Sequence, residues 1–280
     1  MDKCIEIPGY LYVDIQPIAK GMSSDEKYCM TLSDGRRCLL RISDGNQYQR
    51  KTLEFNMMRQ AFEHDISTSE PYAFGRYEDG RIFQLTEWLS GKDLESVLPR
   101  SSSEECYDLG RRAACLLKKI HSISVPEDAE PWSERFRRKV EIRIKEAESI
   151  LGMSETLSAL YNYMVKNLAL LDDCGQCFNH GDFNIGNLIL LENGMLAVID
   201  FNGYNGGYGE PIFETTSILF DKNADEHFIE GFSSCYFPKG ENRTLLDYYR
   251  AYDILARICE GEGNRDVLVK QMEAFIEKIS

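Results

Sequence analysis

The sequence predicts an α+β protein of two lobes, a small antiparallel sheet carrying one helix followed by a larger, mainly helical part. Three features predict it. Short apolar runs broken by Asp-Gly turns fill the first 89 residues, apolar residues recur at helical spacing from Tyr107 onward, and one strand-like return falls at 176–200. A chain of 280 residues is long enough for such a division, because a single core stops growing at roughly 250–300 residues.

In chain order, Tyr10 to Ala19 and Lys27 to Ser33 read as strands flanking a polar tip, Lys20 to Glu26, and Asp34-Gly35 turns the chain into a third strand, Arg36 to Ser43. From Gln47 to Phe62, the spacing of Leu53, Met57, Met58 and Ala61 predicts a helix. Tyr72 to Tyr77 and Arg81 to Trp88 are strands separated by the turn Asp79-Gly80. Leu109, Ala113, Leu116 and Ile120 line one face of a helix from Tyr107 to His121. Further helices are expected at Phe136 to Ile150, at Leu157 to Leu171 and from about Glu214 to the end. The lobes are placed at 1–89 and 90–280, and a cleft between lobes is where small ligands usually bind.

Hydrophobic residues make up 43% and charged residues 28% of the chain, the balance of a protein with a sizeable core. The 32 Lys and Arg against 46 Asp and Glu leave a net charge of −14, which argues against nucleic acid or an anionic membrane as partner and suits a cationic one. Nine cysteines without regular spacing read as free thiols in a reducing compartment, and no apolar run approaches 18 residues, so a cytoplasmic protein is expected. Cys174-x-x-Cys177 has no second pair at ligand spacing and reads as packing thiols.

The chemistry is concentrated between His180 and Asp200. Asn193-Gly194 is a strong hairpin signal, and a two-residue turn there pairs Leu188 with Ile199 and sets Asn187 opposite Asp200. An amide oxygen beside a carboxylate makes a hard oxygen site for Mg²⁺. Asp182, five residues before Asn187, supplies a candidate base. Singly, Asn187 and Asp200 also read as turn caps, and His180 as a loop brace in preference to a zinc ligand. Together, a base, a metal amide and a metal carboxylate are what phosphoryl transfer requires.

His180-x-Asp182-x-x-x-x-Asn187 followed by Asp200-Phe201 resembles the catalytic and metal-binding loops of the protein-kinase-like superfamily. The His-Gly-Asp with a short hairpin to Asp-Phe is similar to its aminoglycoside phosphotransferase and choline kinase branch. Leu39 to Ser43, Arg50 to Phe55, Gln84 to Gly91 and Leu116 to Ile123 stand in the order of that family's third strand, first-lobe helix, hinge and long helix. The resemblance implies a bilobal kinase-like fold. It also implies transfer of the γ-phosphoryl group of ATP, or alternatively GTP, with Mg²⁺, to a hydroxyl of a small molecule.

By the same resemblance, Asp182 is the catalytic base and Asn187 and Asp200 hold Mg²⁺. Arg41 stands where most kinases carry the phosphate-binding Lys, with Glu54 as its helix partner. Gly21, Ser23 and Ser24 fall where the family covers the triphosphate, and Thr86 to Leu89 would present the Glu87 carbonyl and the Leu89 N–H to adenine.

The chain departs from that pattern in three places. Asn202 replaces the Gly that follows Asp-Phe in many kinases; only ten residues separate Asp200 from Pro211, too few to dock a peptide; and the intervening Tyr204 to Tyr208 run is rich in glycine. A small-molecule acceptor follows from the short segment. Residues 201–280 carry 14 acidic and 8 basic side chains, which favours a cationic alcohol such as an aminoglycoside or choline. Tyr204, Glu210 and Glu214 are its candidate contacts, although Glu214 reads equally as a helix-capping residue. The alternatives are a catalytically silent nucleotide- or partner-binding module, or a kinase for choline, a sugar or a macrolide.

Overall fold

The computed structural model describes residues 5–19, 24–203, 206–261 and 264–279. Strands β1 (Tyr12–Pro17), β2 (Glu26–Leu32), β3 (Arg37–Ser43), β4 (Pro71–Arg76) and β5 (Ile82–Glu87) form an antiparallel sheet in the order β1-β2-β3-β5-β4. Period-two alternation puts Cys38, Leu40 and Ile42 of β3 into an apolar cluster with Met30, Leu32, Phe83 and Leu85. Arg41 therefore points to the opposite face, where it meets Asp200, and helix α1 (Tyr48–Glu63) follows the third strand.

The hairpins at Asp34-Gly35, Asp79-Gly80 and Asn193-Gly194 share one turn, which differs from the two-residue turn expected at Asn193-Gly194. In each, a three-residue loop ends in a glycine with φ between +83° and +88°, and the residue before the loop accepts from that glycine's N–H and donates its own N–H to the carbonyl of the residue after the loop. Leu191 thus accepts from Gly194 N–H and donates to Met195 O, both at 2.9 Å. The extra loop residue moves the register by one between β8 (Leu188–Leu191) and β9 (Leu196–Val198), so Leu188 pairs with Val198 and not with Ile199. Asn187 then lies opposite Ile199, whose N–H it accepts at 3.0 Å, and Asp200 sits one residue beyond the expected pairing.

The second part adds β6 (Gly91–Asp93), α2 (Leu94–Val97), α3 (Ser103–His121), α4 (Trp132–Leu151) and α5 (Glu155–Lys166). It continues with β7 (Cys177–Phe178), β10 (Tyr208–Gly209), α6 (Pro211–Leu219), α7 (Glu226–Tyr236), α8 (Arg243–Glu260) and α9 (Arg265–Ile279). Helix α3 begins four residues before the expected start, because Ser102 and Glu105 close a reciprocal capping box that apolar periodicity does not register. The C-terminal helical region starts at Pro211 and is divided into four helices among the described residues. Glu210 caps the first, and Gly261 ends α8 in a left-handed conformation.

Two apolar cores support this part. One packs Trp132 and Phe136 of α4 against Tyr248, Tyr249 and Tyr252 of α8, with Leu157 and Leu160 of α5 and Phe275 of α9. The other gathers α3, α7 and the residues around 178–201, and it includes Met57, Met58 and Ala61 of α1. Helix α1 thus packs with the helical part although it precedes half of the sheet in sequence. Val198 N–H donates to Ser67 O at 2.9 Å and Thr68 Oγ1 to Val198 O at 2.7 Å, a second tie between the two parts. Among the described residues, no helix is long and apolar enough to cross a membrane.

Candidate active site

The loop from Asn179 to Asn187 is built around a left-handed glycine. Gly181 has φ +89°, and a Cβ there would lie 2.1 Å from the carbonyl oxygen of Asn202, so the turn admits no side chain. Fully buried His180 ties the loop to the end of β9: Nε2 donates to Ile199 O at 2.8 Å, and Nδ1 accepts Asp182 N–H at 3.3 Å. Burial pushes its pKa down, opposed by the charge of Glu214 and the bond to Ile199; with one ring nitrogen donating and the other accepting, the imidazole serves as the brace that the sequence suggested.

Asp182 is half-buried, and its two oxygens have different donors. Asn184 Nδ2 donates to Oδ1 at 2.8 Å, and Asn187 Nδ2 donates to Oδ2 at 2.9 Å and to the Asp182 carbonyl at 2.8 Å. These bonds fix the carboxylate direction and commit the nitrogen of the Asn187 amide, so Oδ1 of Asn187 is the atom available to a cation. Asp200 follows β9 with φ +62°, a left-handed conformation costing a non-glycine residue on the order of 1 kcal/mol. Asn202, which stands where many kinases have Gly, does not take a positive φ. Asp200 Oδ1 lies 2.5 Å from Arg41 Nη2.

Arg41 and Glu54, expected as partners, are not paired. Glu54 instead lies 3.4 Å from Lys51 and 3.5 Å from Arg50, its neighbours on the same helix. Lys51, which the sequence reading passed over, is buried and lies 2.8 Å from the buried carboxylate of Asp25. Burial alone would raise the Asp25 pKa, but hydrogen bonds from Lys51 and Ser43 and the charges of Lys51 and Arg41 hold it below the usual carboxylate range. Lys27 is shifted down by burial and by the charges of Arg41 and Lys51, against the pull of Asp200 and Asp25. Lys27, Arg41 and Lys51 therefore form a cationic group interleaved with carboxylates. Among the described residues the buried Nε of Arg41 has no hydrogen-bond partner, which suits an anionic ligand such as phosphate. A lysine seven residues before Met58, on the same buried stripe, was the available signal for Lys51.

Gly21, Ser23 and Tyr204 lie outside the described residues. Ser24 is exposed and lines a depression of about 540 Å³ with Asp25, Asn46, Gln47 and Arg50. Thr86 is buried in β5 opposite Leu39, Glu87 pairs with Cys38, and Leu89 lies in the link to β6.

Glu210 and Glu214, the expected amine contacts, are both 4% exposed and already engaged. Glu210 Oε2 accepts Phe213 N–H at 2.7 Å as the cap of α6. Burial pushes its pKa up to about 7 against the helix N–H groups of Phe213 and Ile212. Glu214 accepts from Gly181 N–H at 2.5 Å, Asn179 Nδ2 at 2.9 Å and His121 Nε2 at 2.7 Å, and His121 Nδ1 lies 2.6 Å from the Tyr236 hydroxyl. One carboxylate caps a helix and the other holds up the loop of Asp182. Cys174 and Cys177 donate separately to the Leu170 and Gly209 carbonyls, as packing thiols do.

A five-stranded sheet over a helical part, with an Asp-Asn loop and a following Asp at their junction, defines a protein-kinase-like fold. The profile of the phosphotransferase enzyme family matches residues 14–252, and the chain belongs to that family. A thermostable mutant of aminoglycoside phosphotransferase APH(4)-Ia, in ternary complex with ADP and hygromycin B, is similar at TM-score 0.69 and 15% identity, covering 95% of this chain and 94% of that one. ADP-bound aminoglycoside phosphotransferase APH(2'')-Ib is similar at 0.66 and 18%, covering 95% and 92%. Choline kinase LicA from Streptococcus pneumoniae is similar at 0.63 and 15%, covering 96% and 95%. No curated protein matches the chain in a sequence search.

Proposed function

We propose that this protein transfers the γ-phosphoryl group of ATP, with GTP as the alternative donor, to a hydroxyl of a small amino-bearing molecule. The observation that carries the reading is the arrangement of Asp182, Asn187 and Asp200. Asn187 fixes the Asp182 carboxylate through its amide nitrogen and keeps its oxygen for a cation, while Asp200 stands past the paired strand end with Arg41. Asp182 orients the acceptor hydroxyl and takes its proton. Residues 1–89 hold the nucleotide: Arg41, with Lys27 and Lys51 beside it, binds phosphate oxygens, and the backbone of Thr86 to Leu89 receives adenine. Ser24, with Gly21 and Ser23, covers the triphosphate. Residues 90–280 hold the acceptor.

The donor set of one carboxylate and one amide oxygen fits Mg²⁺, which Asp200 and Asn187 would hold, and the ion neutralises charge on the phosphates when bound. The ADP and hygromycin B complex of a similar fold supports the nucleotide and small-molecule parts of the reading. The acidic 201–280 segment supports a cationic acceptor, with Tyr204 as its remaining candidate contact. The free thiols suit a cytoplasmic setting.

The test is a phosphorylation panel of aminoglycosides, choline, other amino alcohols, sugars and macrolides with Mg²⁺-ATP. Turnover of an amino-bearing member is expected, with kcat/KM falling as NaCl rises from about 0.02 to about 0.5 M and the Debye length shrinks from roughly 20 to roughly 4 Å. A best acceptor that is neutral, or a salt-insensitive kcat/KM, overturns the cationic reading. Absence of any ATP turnover overturns the phosphotransferase reading.

A further inference from the structure

Helices α3 and α7 touch backbone to backbone. A Cβ on Gly110 would fall 2.0 Å from Phe228 O, and one on Gly231 would fall 2.0 Å from Tyr107 O. This contact brings Cys115 of α3 and Cys235 of α7 together with their sulfurs 3.4 Å apart, although 120 residues separate them in sequence. Cys115 is exposed and Cys235 half-buried. Lys118 Nζ donates to Cys235 O at 2.5 Å, and Arg111 adds a second positive charge nearby.

We propose that Cys115 and Cys235 form a peroxide-sensitive dithiol whose oxidation cross-links α3 to α7 and loosens the loop that carries Asp182. The chemistry is balanced with hydrogen peroxide as oxidant. The exposed Cys115 thiolate attacks the peroxide oxygen to give a sulfenic acid and release hydroxide. The Cys235 thiol then displaces water from that sulfur, so two electrons pass from the dithiol to the peroxide. Burial and the hydrogen bond to Cys115 push the Cys235 thiol pKa up despite Lys118 and Arg111, which suits the resolving role over the attacking one. The sulfurs must close by roughly 1.4 Å to reach a bond of about 2.0 Å.

The link to the active site is short. Tyr236 follows Cys235 directly, and its hydroxyl meets His121 at the other end of α3, which donates to Glu214, which accepts Gly181 N–H. Drawing Cys235 toward α3 shifts the first member of this chain. No sulfur-to-sulfur hydrogen bond joins the remaining cysteines among the described residues, whose polar partners include carbonyls, Arg37, Asn179, Tyr249 and the carboxylates of Asp225 and Glu146.

The test treats the full chain with about one equivalent of hydrogen peroxide, blocks remaining thiols and maps disulfides by peptide mass spectrometry. Hydrogen exchange of the 179–187 segment is then measured before oxidation, after it and after dithiothreitol. The expected result is a Cys115–Cys235 peptide pair and at least about threefold faster exchange in that segment, both reversed by the reductant and both absent in Cys115→Ser. No such peptide pair overturns the proposal. So does a pair without a change in exchange, or the same change in oxidised Cys115→Ser. None of these readouts depends on the acceptor or on phosphoryl transfer.

Discussion

Arg41 Nη2 lies 2.5 Å from Asp200 Oδ1, so the third strand of the sheet is tied directly to the residue that ends the β8–β9 hairpin. The pair joins a candidate phosphate cation to a candidate metal carboxylate, and Mg²⁺-nucleotide must divide the two between itself. Arg41→Ala should therefore raise KM for ATP about tenfold while lowering the Mg²⁺ concentration that half-saturates nucleotide binding, because Asp200 is released. Steady-state kinetics and calorimetry with Mg²⁺ titration check both. An unchanged KM would assign the phosphate grip to Lys27 and Lys51.

Asp182→Asn should lower kcat by roughly 10²–10⁴ while the ADP dissociation constant stays within about twofold. The new amide cannot accept from both Asn184 and Asn187 without presenting its own N–H₂ to one of them, so orientation is lost along with basicity. Turnover near that of the natural protein would remove Asp182 from the base role.

Glu214→Gln should destabilise the protein by about 2–4 kcal/mol, since a buried carboxylate that accepts three hydrogen bonds becomes an amide with a donor facing donors. Urea unfolding measures this. Hydrogen exchange at Gly181 should rise with it, and a stability equal to the natural protein's would mean that the loop is held by other contacts.

The raised pKa of Glu210 makes a prediction with a definite sign. A carboxyl with a folded pKa of about 7 against an ordinary 4.5 binds its proton more tightly when folded. Its contribution, on the order of 3 kcal/mol, is present below pH 4.5 and is lost as pH rises through about 7. His180, with its pKa lowered by burial, works the other way: its contribution is present above 6.5 and falls as pH drops. The difference in unfolding free energy between the natural protein and Glu210→Gln isolates the first effect, and it should decline from pH 5 to pH 8. A flat difference would show that Glu210 is ionised throughout.

The geometry of the His180–Asn187 loop was legible in sequence because His180, Asp182 and Asn187 are close neighbours whose spacing is itself the geometry. Partners distant in sequence were harder to read. The pairing of Arg41 with Glu54 failed because Arg50 and Lys51 stand one helical turn from Glu54 and reach it first. Acidity at 210 and 214 is visible in the letters, whereas the 4% exposure that turns both residues inward comes from packing against α3 and α8. The hairpin register slipped by one because a glycine at the third loop position, not the second, takes the left-handed conformation.

The sharing of α1 between the sheet and the helical core bears on how the chain can be divided. A fragment ending at residue 89 would leave Met57, Met58, Ala61 and Ile66 without part of the core they share, and its complement would show a bare seam around Gly203 and Gly207, where Leu53 and Met57 pack. Each half alone should aggregate, whereas the two expressed together should reassemble by burying that seam. The apolar core that α1 shares with the later helices crosses residue 89, so unfolding should proceed across that point in one transition.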